Sequence, residues 1–167
     1  MPNLTCLEDQ LRRSFDGNAW HGPSVGEVLA DVTAAEAAAR PIISSHSIWE
    51  IVLHQVTWLD VARRRAAGER TERVPDAVDW PASGFGEQGW ESARAQLERT
   101  HGALREAITR LDPVRLDERV AGRTETVCEL VLGALQHDVY HAGQIALLKK
   151  AARAANHSKG ARDAATV

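Results

Sequence analysis

Two histidines, His137 and His141, stand four residues apart in a stretch where Leu130, Ala134, Ile145 and Leu148 recur at helical spacing. On a helix that interval stacks both imidazoles on one face, with Cβ atoms roughly 6 Å apart. Both rings can then reach one ion. Neutral imidazole suits zinc, nickel, iron or copper and leaves the ion's charge available for chemistry. The pair shares the apolar stripe, so the competing reading is a hydrogen-bonded polar pair in a helical core.

One helix face cannot surround an ion, so a further ligand has to come from another element. His46, Glu50 and His54 follow one another at i, i+4 intervals on a second amphipathic segment. His54 lies mid-helix among Leu53, Gln55 and Val56, from where it can project inward. His46 falls near the helix start, where it can meet free backbone amides or solvent. Glu50 reads either as a surface carboxylate or as an acceptor for an imidazole N–H. His21, His101 and His157 fall in a connection, at a polar helix position and near the chain end, and read as structural or solvent-exposed.

Other chemistries find less support. His137-Asp138-Val139-Tyr140-His141 is one methylene short of the HExxH of zinc proteases, whose glutamate is the general base. Asp138 reaches less far, and no sheet edge is predicted to bind an extended peptide. A di-iron bundle needs several inward glutamates and Glu-x-x-His motifs, which Glu50 and Glu129 do not supply. Cys128 in the first turn of the last helix could have a dipole-lowered pKa, but it also fits the apolar face as a small core residue. Trp49, Trp58 and Tyr140 are packing residues or walls of a pocket above the ion.

The elements that must hold these residues are helical. Leu4, Leu7, Leu11 and Phe15 mark a first helix, stopped by Gly17-Asn18. Ser24 can cap a short helix, and Thr33 with Glu36 has capping-box spacing ahead of an alanine-rich turn closed by Pro41. These two pieces form an elaborated connection. A helix from Ser44 or Ser45 to Ala67 carries Ile48, Ile51, Val52, Gln55, Leu59 and Ala62 on one face. Residues 68–86 read as a Pro- and Gly-punctuated linker. Glu87 to Leu111 is the third main helix, with Trp90, Ala93, Leu97, Leu104 and Ile108 as its stripe. Thr126 and Glu129 again have capping-box spacing and open a last helix to about Ala155. No segment alternates with period two. The expected fold is therefore all-α, a four-helix bundle over residues 1–155 with a long elaborated connection between helices 1 and 2, followed by a flexible polar tail over 156–167.

Composition narrows the partners. Twenty basic against 23 acidic residues leave a net charge of −3, which gives no footprint for nucleic acid. The compact basic run Arg63-Arg64-Arg65 sits near a helix C-terminus, where a solvated face favoured by the helix dipole is expected. The two cysteines have no paired spacing, no leader-like apolar run opens the chain, and no stretch reaches bilayer length. A cytoplasmic protein with no membrane partner is expected.

His46-Ser-Ile-Trp-Glu-Ile-Val-Leu-His54-Gln-Val-Thr-Trp58, with His137-Asp-Val-Tyr-His141-Ala-Gly-Gln-Ile145 much later, resembles the DinB/YfiT-like superfamily. Trp20-His-Gly-Pro-Ser24 and the alanine-rich stretch before His46 resemble one branch of it. The likeness spans roughly residues 4 to 152, and Tyr-His-Ala-Gly-Gln-Ile is its most specific part. It implies a bundle carrying a divalent ion, zinc or nickel, on three histidines. One ligand falls on His54 and two fall on His137 and His141, leaving His46 outside the set. Three protein ligands leave an open position, as in catalytic sites. Relatives include metal-dependent thiol S-transferases and isomerases that use low-molecular-weight thiols, and homodimers are common among them. The expectation is a metal-dependent thiol S-transferase or hydrolase with a small-molecule thiol or water at the open position. The alternative is a non-catalytic metal-binding protein of stress response or interaction.

Overall fold

The computed structural model describes residues 3–164, with side chains described as far as residue 157. Its long helices are α1 (Leu4–Asp16), α4 (Ile48–Ala66), α6 (Gly86–Thr109) and α7 (Val127–Ala164). Between α1 and α4 lie the short α2 (Val25–Leu29) and α3 (Ala34–Ala38), and one turn, α5 (Asp76–Asp79), sits in the linker before α6. A 3-10 turn, Pro113–Asp117, leads toward α7. The described residues contain no strand, only an isolated bridge between Arg119 and Thr126. The fold is all-α, as expected, and no described helix is long and apolar enough to cross a membrane.

Contacts close the four long helices into a ring. The α1 helix touches α6 and α7, and α4 touches the same two from the other side. Leu11, Ile48, Val52, Leu59, Leu97, Leu104, Ile108 and Ile145 are almost wholly withdrawn from solvent between them. This burial supplies most of the driving force, because isolated helices of this length are marginal in water.

Helix starts are set by local hydrogen bonding. Ser24–Glu27, Thr33–Glu36 and Ser47–Glu50 each form a reciprocal capping box, and Thr126 with Glu129 does the same at α7. The α4 helix therefore begins at Ile48, three or four residues later than the expected Ser44 or Ser45, because the Ser47 hydroxyl takes up the Glu50 amide. Glu50 is thereby accounted for. Its carboxylate accepts from the Ser47 amide at 2.8 Å and pairs with Arg40, and it makes no contact with an inward imidazole. At the other end of the chain, α7 continues to Ala164, past the expected stop near Ala155. No proline or glycine interrupts residues 149–159, and alanine, lysine and arginine dominate them. Of the expected tail, residues 165–167 lie outside the described residues.

The connection is docked, not loose. Lys149 donates to the Val28 carbonyl at 2.9 Å and pairs with Asp31, while Arg153 bonds Asp31 and Glu36. Lys149 first, and then Arg153, hold the Asp31 carboxyl down to about 2. The Trp90 indole donates to the Val32 carbonyl at 2.7 Å. Where α2 crosses α1, a Cβ on Gly26 would stand 2.8 Å from the Phe15 carbonyl oxygen. A methyl group there has to push two backbones apart. Gly26→Ala is expected to destabilise the fold by about 1–3 kcal/mol through overpacking. Gly102→Ala, whose Cβ would meet nothing within 4 Å on α6, is expected to stabilise it by up to about 1 kcal/mol. Urea denaturation midpoints moving in opposite directions check both.

Candidate metal centre

Three imidazoles meet where α4 faces α7. His54 Nε2 lies 3.1 Å from His137 Nε2, and His141 Nε2 lies 3.0 Å from it. The donor atoms of all three fall within 4.8 Å of one another. His137 and His141 share a face of α7 as their spacing requires. His54 comes from the middle of α4, where Ser47 and Glu50 fix the start of the helix.

The outer nitrogens decide what the inner ones can do. His54 Nδ1 faces the Asp79 carbonyl oxygen at 2.9 Å and the Asp79 carboxylate at 3.0 Å. Both are pure acceptors, so Nδ1 carries the proton and Nε2 presents a bare lone pair. His141 Nδ1 faces Gln144 Oε1 at 2.7 Å, while the Gln144 amide nitrogen donates to the Tyr140 hydroxyl at 3.0 Å. That orientation places the His141 proton on Nδ1 as well. His137 makes no hydrogen bond through Nδ1 among the described residues and can donate from Nε2 to only one neighbour. Lone pairs directed at a common point from 3 Å apart repel unless a cation lies between them.

Charge follows the same logic. Burial is the first cause that depresses His137, to about 3, with the nearby His141 and His54 adding to it. Burial likewise brings His141 down to about 4 against the raising effect of Gln144, and it lowers His54 against the raising effect of Asp79. All three are neutral imidazoles at pH 7, the form that binds metal. A tetrahedral ion with bonds of roughly 2.0–2.1 Å to nitrogen needs ligand atoms about 3.3 Å apart, close to the two spacings through His137, with the third pair within 4.8 Å. The three side chains fit a divalent ion.

Tryptophan roofs the cluster. Trp80, from the end of α5, stacks on His54 at 3.9 Å between ring centroids and on His46 at 3.5 Å, nearly parallel to both. His46 is therefore held outside the cluster, its other contact being Glu50 at 3.6 Å. Two clefts end on the site. One of about 380 Å³ runs from His141 past Trp80, Tyr140 and Gln144. The other, of about 270 Å³, runs from His137 along Trp58 between α4 and α7.

Several sequence expectations change here. Trp49 does not wall the site, because it is 2% exposed and packs on Trp90 in the core. Trp58 and Tyr140 do flank it. Cys128 packs against the core edge as the small residue expected. Asp138, wholly buried, points away from the ion position toward Gln55 Nε2 (3.4 Å), Ser14 Oγ (3.5 Å) and His101 Nε2 (3.4 Å, off hydrogen-bond geometry). It cannot serve as the general base of an HExxH site. His101 is not at a polar position but 1% exposed and stacked on Phe15. Its place four residues after Leu97 and three before Leu104 carries the signal for that burial. Asp79 and Trp80 carried no such signal, since the linker has no periodicity.

The helical ring and the convergent imidazoles together define an all-α bundle with a three-histidine site able to hold a metal ion. A family model described as DinB superfamily matches residues 24–145, and the chain belongs to that superfamily. Comparison with curated proteins and with solved structures finds no match in either.

Two outcomes follow from this geometry. Asp79→Ala removes the carboxylate at 3.0 Å but keeps the backbone carbonyl acceptor at 2.9 Å, so it is expected to weaken zinc affinity by about tenfold at most, the low end for a supporting partner, whereas Glu50→Gln leaves it unchanged; competition with a chromophoric chelator checks both. For the metal-free protein, folded pKa values of about 3 and 4 lie below the ordinary 6.5. The unfolded chain therefore binds more protons between these limits, and stability falls as pH drops from about 6.5 toward 4. Denaturation midpoints across that range should show a shallower fall for His137→Ala.

Proposed function

We propose that His54, His137 and His141 bind one divalent ion, zinc or nickel, and that the protein is a metal-dependent enzyme of the thiol S-transferase or hydrolase kind. The observation that carries this reading is the set of Nε2 atoms turned inward by Asp79 and Gln144. Bound there, the ion supplies a positive charge that lowers the pKa of a thiol or water beside it.

The chain's own residues do the rest. Asp79 and Gln144 hold two rings in the ligating tautomer. Trp80 shields the His54 side from water, and a low local dielectric strengthens every charge interaction at the site. The clefts ending on His137 and His141 give a substrate two approaches, which a sealed structural site would not offer. This favours the enzyme over a non-catalytic metal-binding role in stress response or interaction. The same proposal takes the protein as a cytoplasmic homodimer, the dimer being open to light scattering.

The test uses cobalt-substituted protein titrated with 2-mercaptoethanol. An exogenous thiol entering an open position is expected to produce a sulfur-to-cobalt charge-transfer band in the near ultraviolet, and zinc- or nickel-loaded protein is expected to accelerate thiol conjugation or ester hydrolysis in a substrate screen. His54→Ala should abolish both. Cobalt that binds tightly yet admits neither thiol nor water would contradict the enzyme reading and favour the structural one.

A further inference from the structure

Arg65 does not join the solvated basic face expected of Arg63-Arg64-Arg65. Arg63 pairs with Asp60 and Arg64 with Glu69 at the surface, but Arg65 is only 7% exposed. Its Nε donates to the Thr71 hydroxyl at 2.7 Å, and its guanidinium lies 5.9 Å above the Trp58 ring. It forms no ion pair with any described carboxylate. A nearly buried guanidinium normally has one, because burying charge without a partner is costly.

Arg65 lines the cleft that ends on His137. Trp58 joins the two ends, its ring under Arg65 and 6.3 Å from the His54 ring. Leu59, Ala62, Leu130 and Ala134 make the intervening wall apolar. On the facing helix, Gly133 takes a mid-helix position where glycine costs about 1 kcal/mol relative to alanine. A Cβ there would meet no atom within 4 Å, so a larger side chain would extend into the cleft. Two acids also line this cleft, but Glu129 is engaged in the α7 cap and Glu125 stays outside ion-pair distance of Arg65.

We infer that this cleft binds a substrate by a carboxylate on Arg65, with the apolar body of the molecule lying along Trp58 toward His137. Among the described residues nothing bonds the terminal nitrogens of Arg65, and a planar guanidinium so disposed matches a carboxylate bidentately. The lining holds one guanidinium and two acids, with the charge of Arg123 also acting on Arg65, and a carboxylate is the anion whose two oxygens match a single guanidinium fork. The inference deepens the proposed function, and rests on it for the reacting end of the molecule but not for the Arg65 end.

The test separates the two. On metal-free protein, hexanoate and 1-hexanol are titrated while the Arg65 Nε–H and Trp58 indole N–H resonances are followed by NMR. Hexanoate is expected to shift both saturably and to bind at least about tenfold tighter than hexanol, as a charge-assisted hydrogen bond implies. Arg65→Met should remove that preference while leaving hexanol binding unchanged. Gly133→Leu, which leaves Arg65 untouched, should weaken both ligands and so guards against a folding defect in the arginine variant. Equal binding of the two ligands, no shift with either, or a preference that survives Arg65→Met would overturn the inference. In a separate arm, cobalt-loaded protein receives 6-mercaptohexanoate. A carboxylate preference without a charge-transfer band contradicts the thiol reading of the metal alone; a band as strong with 6-mercaptohexanol, and unaffected by Arg65→Met, contradicts the Arg65 assignment alone.

Discussion

Two inward lone pairs, on the Nε2 atoms of His54 and His141, face a His137 that can donate to only one of them, and that unmet acceptor is the constraint around which this site is organised. Left alone, imidazoles at the α4–α7 interface would turn until each inner nitrogen met a donor. Asp79 and Gln144 prevent that by occupying the outer nitrogens of His54 and His141 with acceptors. Burial adds to the constraint by holding all three rings neutral. The fold carries an arrangement that is unfavourable when empty and favourable around a cation, which is how binding free energy is built into a preorganised site.

Holding that arrangement requires fixed register between α4 and α7, and the residues next to the three histidines provide it. Gln55 follows His54 and Asp138 follows His137; the two meet at 3.4 Å in the centre of the bundle, with Ser14 of α1 and His101 of α6 around them. Each long helix therefore contributes one polar group to a buried cluster behind the histidines. Such groups are costly to bury and favour one alignment of the helices over its neighbours. The docked α2–α3 connection then closes the far side, tied to α7 by Lys149 and Arg153.

The parts of this design governed by helical periodicity could be read from the sequence, and the parts governed by loops could not. His137 and His141 follow from an interval of four on an apolar stripe, and the starts of α2, α3 and α7 follow from capping residues, whereas the start of α4 and the end of α7 did not. Spacing left His46, Glu50 and His54 open as partners, because all three share the i, i+4 series; the family likeness singled out His54. What separates them physically is Trp80, which holds His46 out, and Ser47, which claims Glu50. Asp79 and Trp80 sit in an aperiodic linker whose path is set only by what it packs on. Arg65 lay inside a run of like charges, yet its position three residues after Ala62 and next to Ala66 placed it on the buried side of α4.

The most direct measurement of the central claim is a zinc titration of the metal-free protein in competition with a chelator of known affinity, for the natural sequence and for His54→Ala, His137→Ala and His141→Ala. The account predicts one equivalent of zinc per chain and a loss in each variant larger than the roughly 10–100-fold expected for removing a ring's supporting partner. One equivalent bound with undiminished affinity by any of the three variants would contradict it.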